Sequence, residues 1–236
     1  MLMDFDIRVS PLVGWLDART CFFHEDIILL LADFTRVRSL RLTGSCCTVH
    51  LIVDSLRRSL PVQSLSLRLR DIGRRYVIPE DLFGGKAPIR RLQLVRNAHI
   101  VAPHWLLRGV THFTSGELIA LPELLDVLRQ MSALAYFEFQ HGRLCWMQPD
   151  VGKLRASPIQ MPQLMNLIVW TNYLDEFILL NQLLLLHVGA KRRLELPASA
   201  FRSWFFDVYC IDVLSPVVEA ANGFQHIYFS ATQKEG

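Results

Sequence analysis

The side chains in this 236-residue chain that could do chemistry are rarely spaced for it. Cys46, Cys47 and His50 come nearest to a metal-ligand set, because thiolates and an imidazole suit zinc. No Cys-x-x-Cys pair and no His-x-x-x-His helix accompanies them, so buried thiols beside a turn are the expectation. Gly84, Gly85 and Lys86 have the look of the end of a phosphate loop. That motif needs a glycine where Glu80 stands and a Ser or Thr where Ala87 stands, so a turn is expected instead. No Gly-x-Ser-x-Gly elbow sets up a serine nucleophile. The acid pairs Glu25–Asp26 and Asp175–Glu176 stand beside expected helix starts, where carboxylates offset the positive end of the dipole. The reading is of a chain that is not an enzyme and uses neither cofactor nor metal.

Arginine is the residue type most poised for recognition. Of 25 basic residues 21 are Arg, and a guanidinium fork grips carboxylate or phosphate with two parallel hydrogen bonds. Residues 36–96 hold 13 Lys plus Arg against 4 acids, a local charge of +9 in a chain whose net charge is +3. A nucleic-acid-binding protein using this Arg-rich segment is therefore the alternative reading. Only Tyr76 and Phe83 supply aromatic rings within it, which speaks against base stacking.

The elements that must position these residues follow from one recurring phrase: an apolar residue, two variable residues, an apolar residue, one variable residue, an apolar residue. Val37, Leu40 and Leu42 carry it first, then Val62, Leu65 and Leu67, then Ile89, Leu92 and Leu94. Val110 and Phe113 continue it with Ser115 in the third place. Leu134, Phe137 and Phe139 follow, then Leu164, Leu167 and Val169, then a degenerate copy on Leu194 and Leu196, then Phe224, Ile227 and Phe229. The spacing between copies varies around 27 residues. The last two apolar positions of each copy are two apart, so they share one side of a short strand and leave the other side free. So short a strand cannot bury its apolar side alone, and copies must stack as a parallel sheet with each return made by a helix or irregular segment.

Helical spacing predicts returns over Thr48 to Arg58 with Thr48 as N-cap, Pro122 to Met131, Leu174 to Leu186 and Pro216 to Ala221. Glu25 to Ala32 is a further helix, and residues 4–9 alternate as a strand. The apolar run Phe177 to Val188 is too short and too interrupted by Asn181, Gln182 and His187 to span a membrane. The odd, scattered cysteines suit reduced thiols in a cytoplasmic or nuclear protein.

The phrases at 36–42, 79–94, 106–113 and 121–134 resemble the repeat region of fungal, especially basidiomycete, F-box-like proteins. The most specific part is Pro79 to Leu94, where Asp-Leu-Phe-Gly-Gly precedes a repeat strand. The resemblance covers about residues 25–230 and implies one leucine-rich-repeat-like domain over 1–236, an α/β solenoid with parallel strands on one face. It also implies the substrate-binding region of an F-box-type ubiquitin ligase receptor. No F-box precedes the repeats here, so docking on the SCF adaptor is expected only if an F-box is encoded upstream. Asn97 and Asn172 occupy the asparagine position of such repeats, and the other copies depart from it.

The expected site is the free, concave strand face. Its ladder reads Ser39 and Arg41, Ser64 and Ser66, Arg91 and Gln93, His112 and Thr114, Tyr136 and Glu138, Asn166 and Ile168, Arg193 and Glu195, His226 and Tyr228. Arg68 and Trp170 lie one step further out. Arg, Tyr and Trp are the usual energetic centres of protein interfaces. The function expected is therefore non-catalytic binding of a protein, carried by Arg41, Arg68, Arg91, Tyr136, Asn166, Trp170 and Tyr228.

Overall fold

The computed structural model describes residues 3–8, 37–56, 60–69, 75–95, 99–116, 119–140, 144–145, 158–171, 174–187 and 189–195. The chain divides into two compact units, residues 1–113 and 114–236. The copy on Phe224, the helices at Glu25 to Ala32 and Pro216 to Ala221, both repeat asparagines, and the ladder positions His226 and Tyr228 fall outside the described residues.

In the first unit, β1 (Met3–Arg8), β2 (Val37–Gly44), β3 (Ser64–Leu69) and β5 (Arg91–Val95) lie side by side, every pair parallel. The expected strand at residues 4–9 is β1, whose Phe5 and Ile7 stand level with Leu40 and Leu42. The register follows the phrase: Leu40, Leu65 and Leu92 are level across the strands, as are Leu42, Leu67 and Leu94, and all six are buried. Val37, Val62 and Ile89, the first apolar residues of each copy, are buried too. A one-residue slip would bring Ser and Arg into this core, so the apolar pattern pins the register.

The returns carry helix α1 (Cys46–Ser55), β4 (Arg75–Val77), a 3₁₀ turn (Leu82–Gly85), β6 (His99–Val101) and α2 (His104–Arg108). Strands β4 and β6 pair parallel as well. Helix α1 begins at Cys46, so Thr48 lies within it and is not its N-cap. The first turn closes on Ser45, whose carbonyl accepts from the Val49 N–H at 2.9 Å. The Asp-Leu-Phe-Gly-Gly run is packing rather than a ligand loop: Leu82 and Phe83 are wholly buried, and the Phe83 N–H donates to the Leu56 carbonyl at 2.9 Å. Gly85 has φ +69°, and a Cβ there would sit 3.2 Å from the Glu80 carbonyl oxygen. The Trp105 indole donates to that same carbonyl at 2.8 Å, tying α2 to the turn.

Strand β7 (His112–Gly116) spans the division of the chain. In the second unit, β9 (Tyr136–Gln140), β12 (Asn166–Trp170) and β14 (Lys191–Glu195) are parallel neighbours. Shorter parallel pairs join β8 (Ile119–Ala120) to β10 (Leu144–Cys145) and β11 (Ile159–Met161) to β13 (Leu184–Leu186). Helix α3 (Leu121–Arg129) buries Leu124, Leu125 and Leu128, and the following Met131 is buried with them, as the spacing predicts. Helix α4 (Leu174–Leu183) is shorter than the expected run to Leu186, because Leu184–Leu186 leaves the helix to pair with β11.

That early exit from the helix also corrects the seventh copy. From the end of β13 only a short turn leads to Lys191, whose N–H donates to the Met165 carbonyl at 2.7 Å and sets Lys191 level with Asn166. Leu194 therefore stands opposite Val169, in the third apolar place rather than the second, and Arg192 stands opposite the buried Leu167. Burial holds the Arg192 guanidinium below its ordinary pKa. Arg193 and Glu195 keep the expected side of the strand because a slip of two preserves parity.

Among the described residues, no helix is long and apolar enough to cross a membrane.

Candidate recognition surface

The side of β2, β3 and β5 opposite the leucines carries Ser39, Ser64 and Arg91 in one level row, then Arg41, Ser66 and Gln93, then Thr43, Arg68 and Val95. Arg41, Arg68 and Arg91 are exposed. Ser66 is almost covered and donates from its hydroxyl to Gln93 Oε1 at 2.9 Å, which fixes that amide.

A further row, just before the strands, is absent from the expected ladder. It consists of the residue after each first apolar position: Arg38, Gln63, Arg90 and Thr111. A backbone relay aligns them, with the Gln63 N–H donating to the Arg38 carbonyl at 2.8 Å, Arg90 N–H to Gln63 at 2.8 Å and Thr111 N–H to Arg90 at 2.9 Å. Each carbonyl at Gln63 and Arg90 also accepts from the next residue, Arg91 at 3.0 Å and His112 at 3.0 Å. Two rows thus converge at the N-terminal ends of the strands. Together Arg38, Ser39, Gln63, Ser64, Arg90, Arg91, Thr111 and His112 line a concavity of about 540 Å³ that has no carboxylate in its walls. Arg91 is the one expected binding residue it contains. The recurring phrase held the missing signal, since its first variable position is Arg, Gln, Arg and Thr in successive copies.

The hydrogen bonds inside this concavity assign its donors. Arg38 Nε donates to Gln63 Oε1 at 3.2 Å and leaves the rest of the fork pointing elsewhere. Thr111 Oγ1 lies 3.1 Å from the Arg90 carbonyl and 3.0 Å from His112 Nδ1, so it is held between the two. Burial, and after it the positive charge of Arg91, hold His112 below the usual imidazole pKa. Among the described residues no carboxylate pairs with Arg68, Arg90 or Arg91.

In the second unit the corresponding face places Tyr136, Asn166 and Lys191 level, then Glu138, Ile168 and Arg193, then Gln140, Trp170 and Glu195. Here the carboxylates are engaged by their neighbours. Glu138 accepts from the Tyr136 hydroxyl at 2.9 Å and from the Gln140 amide at 2.7 Å, and Arg193 Nε meets Glu195 Oε1 at 2.6 Å. Glu195, expected as an exposed ladder residue, is only 2% exposed. Burial, together with the Glu138 bond, pushes the Tyr136 hydroxyl up to about 12. The row before these strands is Ala135 and Met165, apolar where the first unit has Arg and Gln, and Met165 is exposed.

Cys46 is buried and Cys47 exposed on α1, and His50 meets Asp54 at 3.3 Å; among the described residues no group of three or more His, Cys, Asp or Glu side chains could hold a metal ion. The chain matches no protein-family model, no curated protein and no solved structure.

Proposed function

We propose that this chain is a non-catalytic recognition module that binds another protein across the free side of its parallel strands. The observation that carries this reading is the division of β2, β3, β5, β9 and β12 into a buried apolar side and an opposite side bearing Arg, Ser and Gln or Tyr, Asn and Trp. Only Val95 and Ile168 bring aliphatic side chains to that side of these strands, while guanidinium and aromatic groups, the usual anchors of protein interfaces, are presented on it. The parallel pairing, repeated at intervals near that of leucine-rich repeats, supports the further proposal that the strands and their returns are a solenoid of that kind. The resemblance to F-box-like repeat regions adds the narrower reading of a receptor that holds a substrate for ubiquitin transfer. The odd, scattered set of cysteines fits a reducing compartment, the cytoplasm or nucleus.

The hydroxyl–imidazole pair at Thr111 and His112 does not suggest nucleophilic catalysis. Catalysis needs the hydroxyl to donate to the ring, and here the Arg90 carbonyl, 3.1 Å from the same hydroxyl, competes for that proton.

A photo-crosslinking residue placed singly at Gln93, Ile168 and Glu123 in cell extract tests the reading. Gln93 and Ile168 lie on the free sides, and Glu123 is exposed on α3. Nuclease-resistant protein adducts are expected from the first two positions and not from Glu123. Replacing Arg41, Arg91 and Tyr136 together by Ala should abolish those adducts. Adducts to nucleic acid, or equal protein yields from Glu123, would overturn the proposal.

A further inference from the structure

The concavity at the N-terminal ends of β2, β3, β5 and β7 goes beyond a generally basic face, because its charge is concentrated and unopposed. Three guanidiniums, from Arg38, Arg90 and Arg91, share its walls with three hydroxyls, one amide and one imidazole, and with no acid. Like charges held side by side repel, and a structural role for them would normally bring a carboxylate into the cluster. The second unit does this for its own Arg193. The relay of backbone bonds from Arg38 to Thr111 instead holds the backbones of these residues level on consecutive strands, so their side chains are rooted in one row.

We propose that this concavity binds a phosphoryl monoester, supplied by a phosphorylated serine or threonine of the protein partner. The inference rests on the protein-recognition reading above and names what the partner must carry. A carboxylate brings one negative charge to three guanidiniums, whereas a phosphoryl monoester brings about −1.5 to −2 and three acceptor oxygens. The planar forks match those oxygens with paired hydrogen bonds. Ser39 and Ser64 add neutral hydroxyls to the same walls. The volume falls within the roughly 300–1,000 Å³ of pockets that enclose a small group with its flanking atoms. A single nucleic-acid strand offers phosphates as well, but its bases stack best on Phe, Tyr or Trp, and none of these lines the site. His112 lines the same site, and beyond the effect of its burial the nearby Arg91 charge disfavours its protonation, a charge that a bound dianion offsets.

The test uses the full chain and a fluorescein-labelled alanine–glycine peptide with one central phosphoserine, compared with the same peptide carrying serine, at fixed ionic strength. The phosphopeptide is expected to bind about tenfold tighter or more, the factor that one good charge-assisted bond supplies. Arg38→Ala and Arg91→Ala should each remove about tenfold in affinity, and Arg91→Lys, which keeps the charge but loses the fork, a large part of that. Arg108→Ala, the same change of charge on α2 away from the walls, should leave binding unchanged. Unchanged melting temperatures in these variants separate lost binding from lost folding. On phosphopeptide addition the His112 ring protons should titrate at higher pH, a response that a merely structural histidine does not give.

Equal binding of the two peptides overturns the proposal, as does an Arg91→Ala variant that binds normally. Tighter binding of a short oligothymidylate with a steep salt dependence overturns it in favour of nucleic acid. If the phosphopeptide fails while Gln93 still crosslinks to protein, the phosphoryl site is wrong and the recognition reading stands. If both fail, both fall.

Discussion

The same backbone device opens the strands in both units, yet it presents opposite chemistry. In the first unit the Gln63 and Arg90 carbonyls each accept two N–H groups and hold Arg38, Gln63, Arg90 and Thr111 in a row. In the second the Ala135 carbonyl accepts from Met165 and Asn166, at 2.9 and 3.1 Å, and the row it holds is apolar. The free faces differ in the same sense. Glu138 and Glu195 bind their neighbours in the second unit, whereas Arg68, Arg90 and Arg91 have no carboxylate partner among the described residues of the first. A face whose acids are engaged internally contributes to its own order. An unsatisfied one keeps its binding capacity for a ligand.

Below these faces the two units are built alike, and the largest expected effects fall there. Leu67 and Phe137 are both 0% exposed at core positions of β3 and β9. Leu67→Ala should cost about 2–5 kcal/mol and Phe137→Ala about 3–5 kcal/mol of stability, measured by urea unfolding. Comparable losses in both units mean that the difference between them is confined to the free side. A tolerated Phe137→Ala would show that the second unit lacks a packed core of the same kind.

How much of this was legible in the sequence differs between core and face. Val37, Leu40 and Leu42 and their later counterparts announced strands, sidedness and register together, because an apolar residue on the wrong side is costly at every strand. Arg192 marks where that logic stops. The place of β14 is set by the exit of Leu184–Leu186 from the helical run and its pairing with β11, which apolar spacing does not encode. The helix N-terminus at Cys46 was missed for a related reason, since Thr48 is a good capping residue by type but backbone bonding at Ser45 decides the start. On the face, Arg41, Arg68 and Arg91 could be placed by parity alone. The concavity required knowing that residues before the strands turn onto that side, which is a property of the relay and not of alternation.

The next largest effect separates the two faces directly. Arg193→Ala leaves the Glu195 carboxylate, 2% exposed, without its 2.6 Å partner, and an unmatched buried acceptor costs about 1–3 kcal/mol. Arg91→Ala removes an exposed side chain with no carboxylate partner among the described residues and should change stability by no more than about 0.5 kcal/mol. Parallel urea melts of the two variants check the contrast. If Arg91→Ala proved the more destabilising, the first face would be a structural element and its role as a waiting site would be lost.

Tyr136 gives a smaller handle on the satisfied face. Its hydroxyl is pushed up to about 12, first by burial and then by its bond to Glu138, against an ordinary value of 10.0. Because the protonated form is favoured in the folded state, its stabilising contribution is complete below pH 10 and is lost as pH rises toward about 12. Tyr136→Phe should cost about 0.5–1.5 kcal/mol at neutral pH, the net worth of one hydrogen bond, and should flatten that part of the alkaline stability curve. Absorbance at the tyrosinate band, compared between wild type and variant, locates the titration. A Tyr136 that ionises near 10.0 would mean that Glu138 does not hold it.

The smallest effect reads the unsatisfied face, and it depends on separating two causes. His112 lies below its ordinary 6.5 chiefly through burial and secondarily through Arg91. The folded state therefore binds fewer protons than the unfolded chain just below pH 6.5, so the contribution of His112 is complete above that value and is lost as pH falls through its lowered pKa. Arg91→Gln removes the second cause and leaves the first. The His112 ring should then titrate at higher pH, still short of a free imidazole, and the shift in wild type should shrink as added salt screens the guanidinium. Glu195→Gln in the second unit, whose carboxylate is already paired with Arg193, should leave the His112 titration where it was. Nuclear magnetic resonance of the ring protons across this series measures the field of the first face without any ligand present. An His112 pKa indifferent to Arg91→Gln would show that the arginine charge is neutralised where it stands, and the contrast between the two faces would reduce to composition alone.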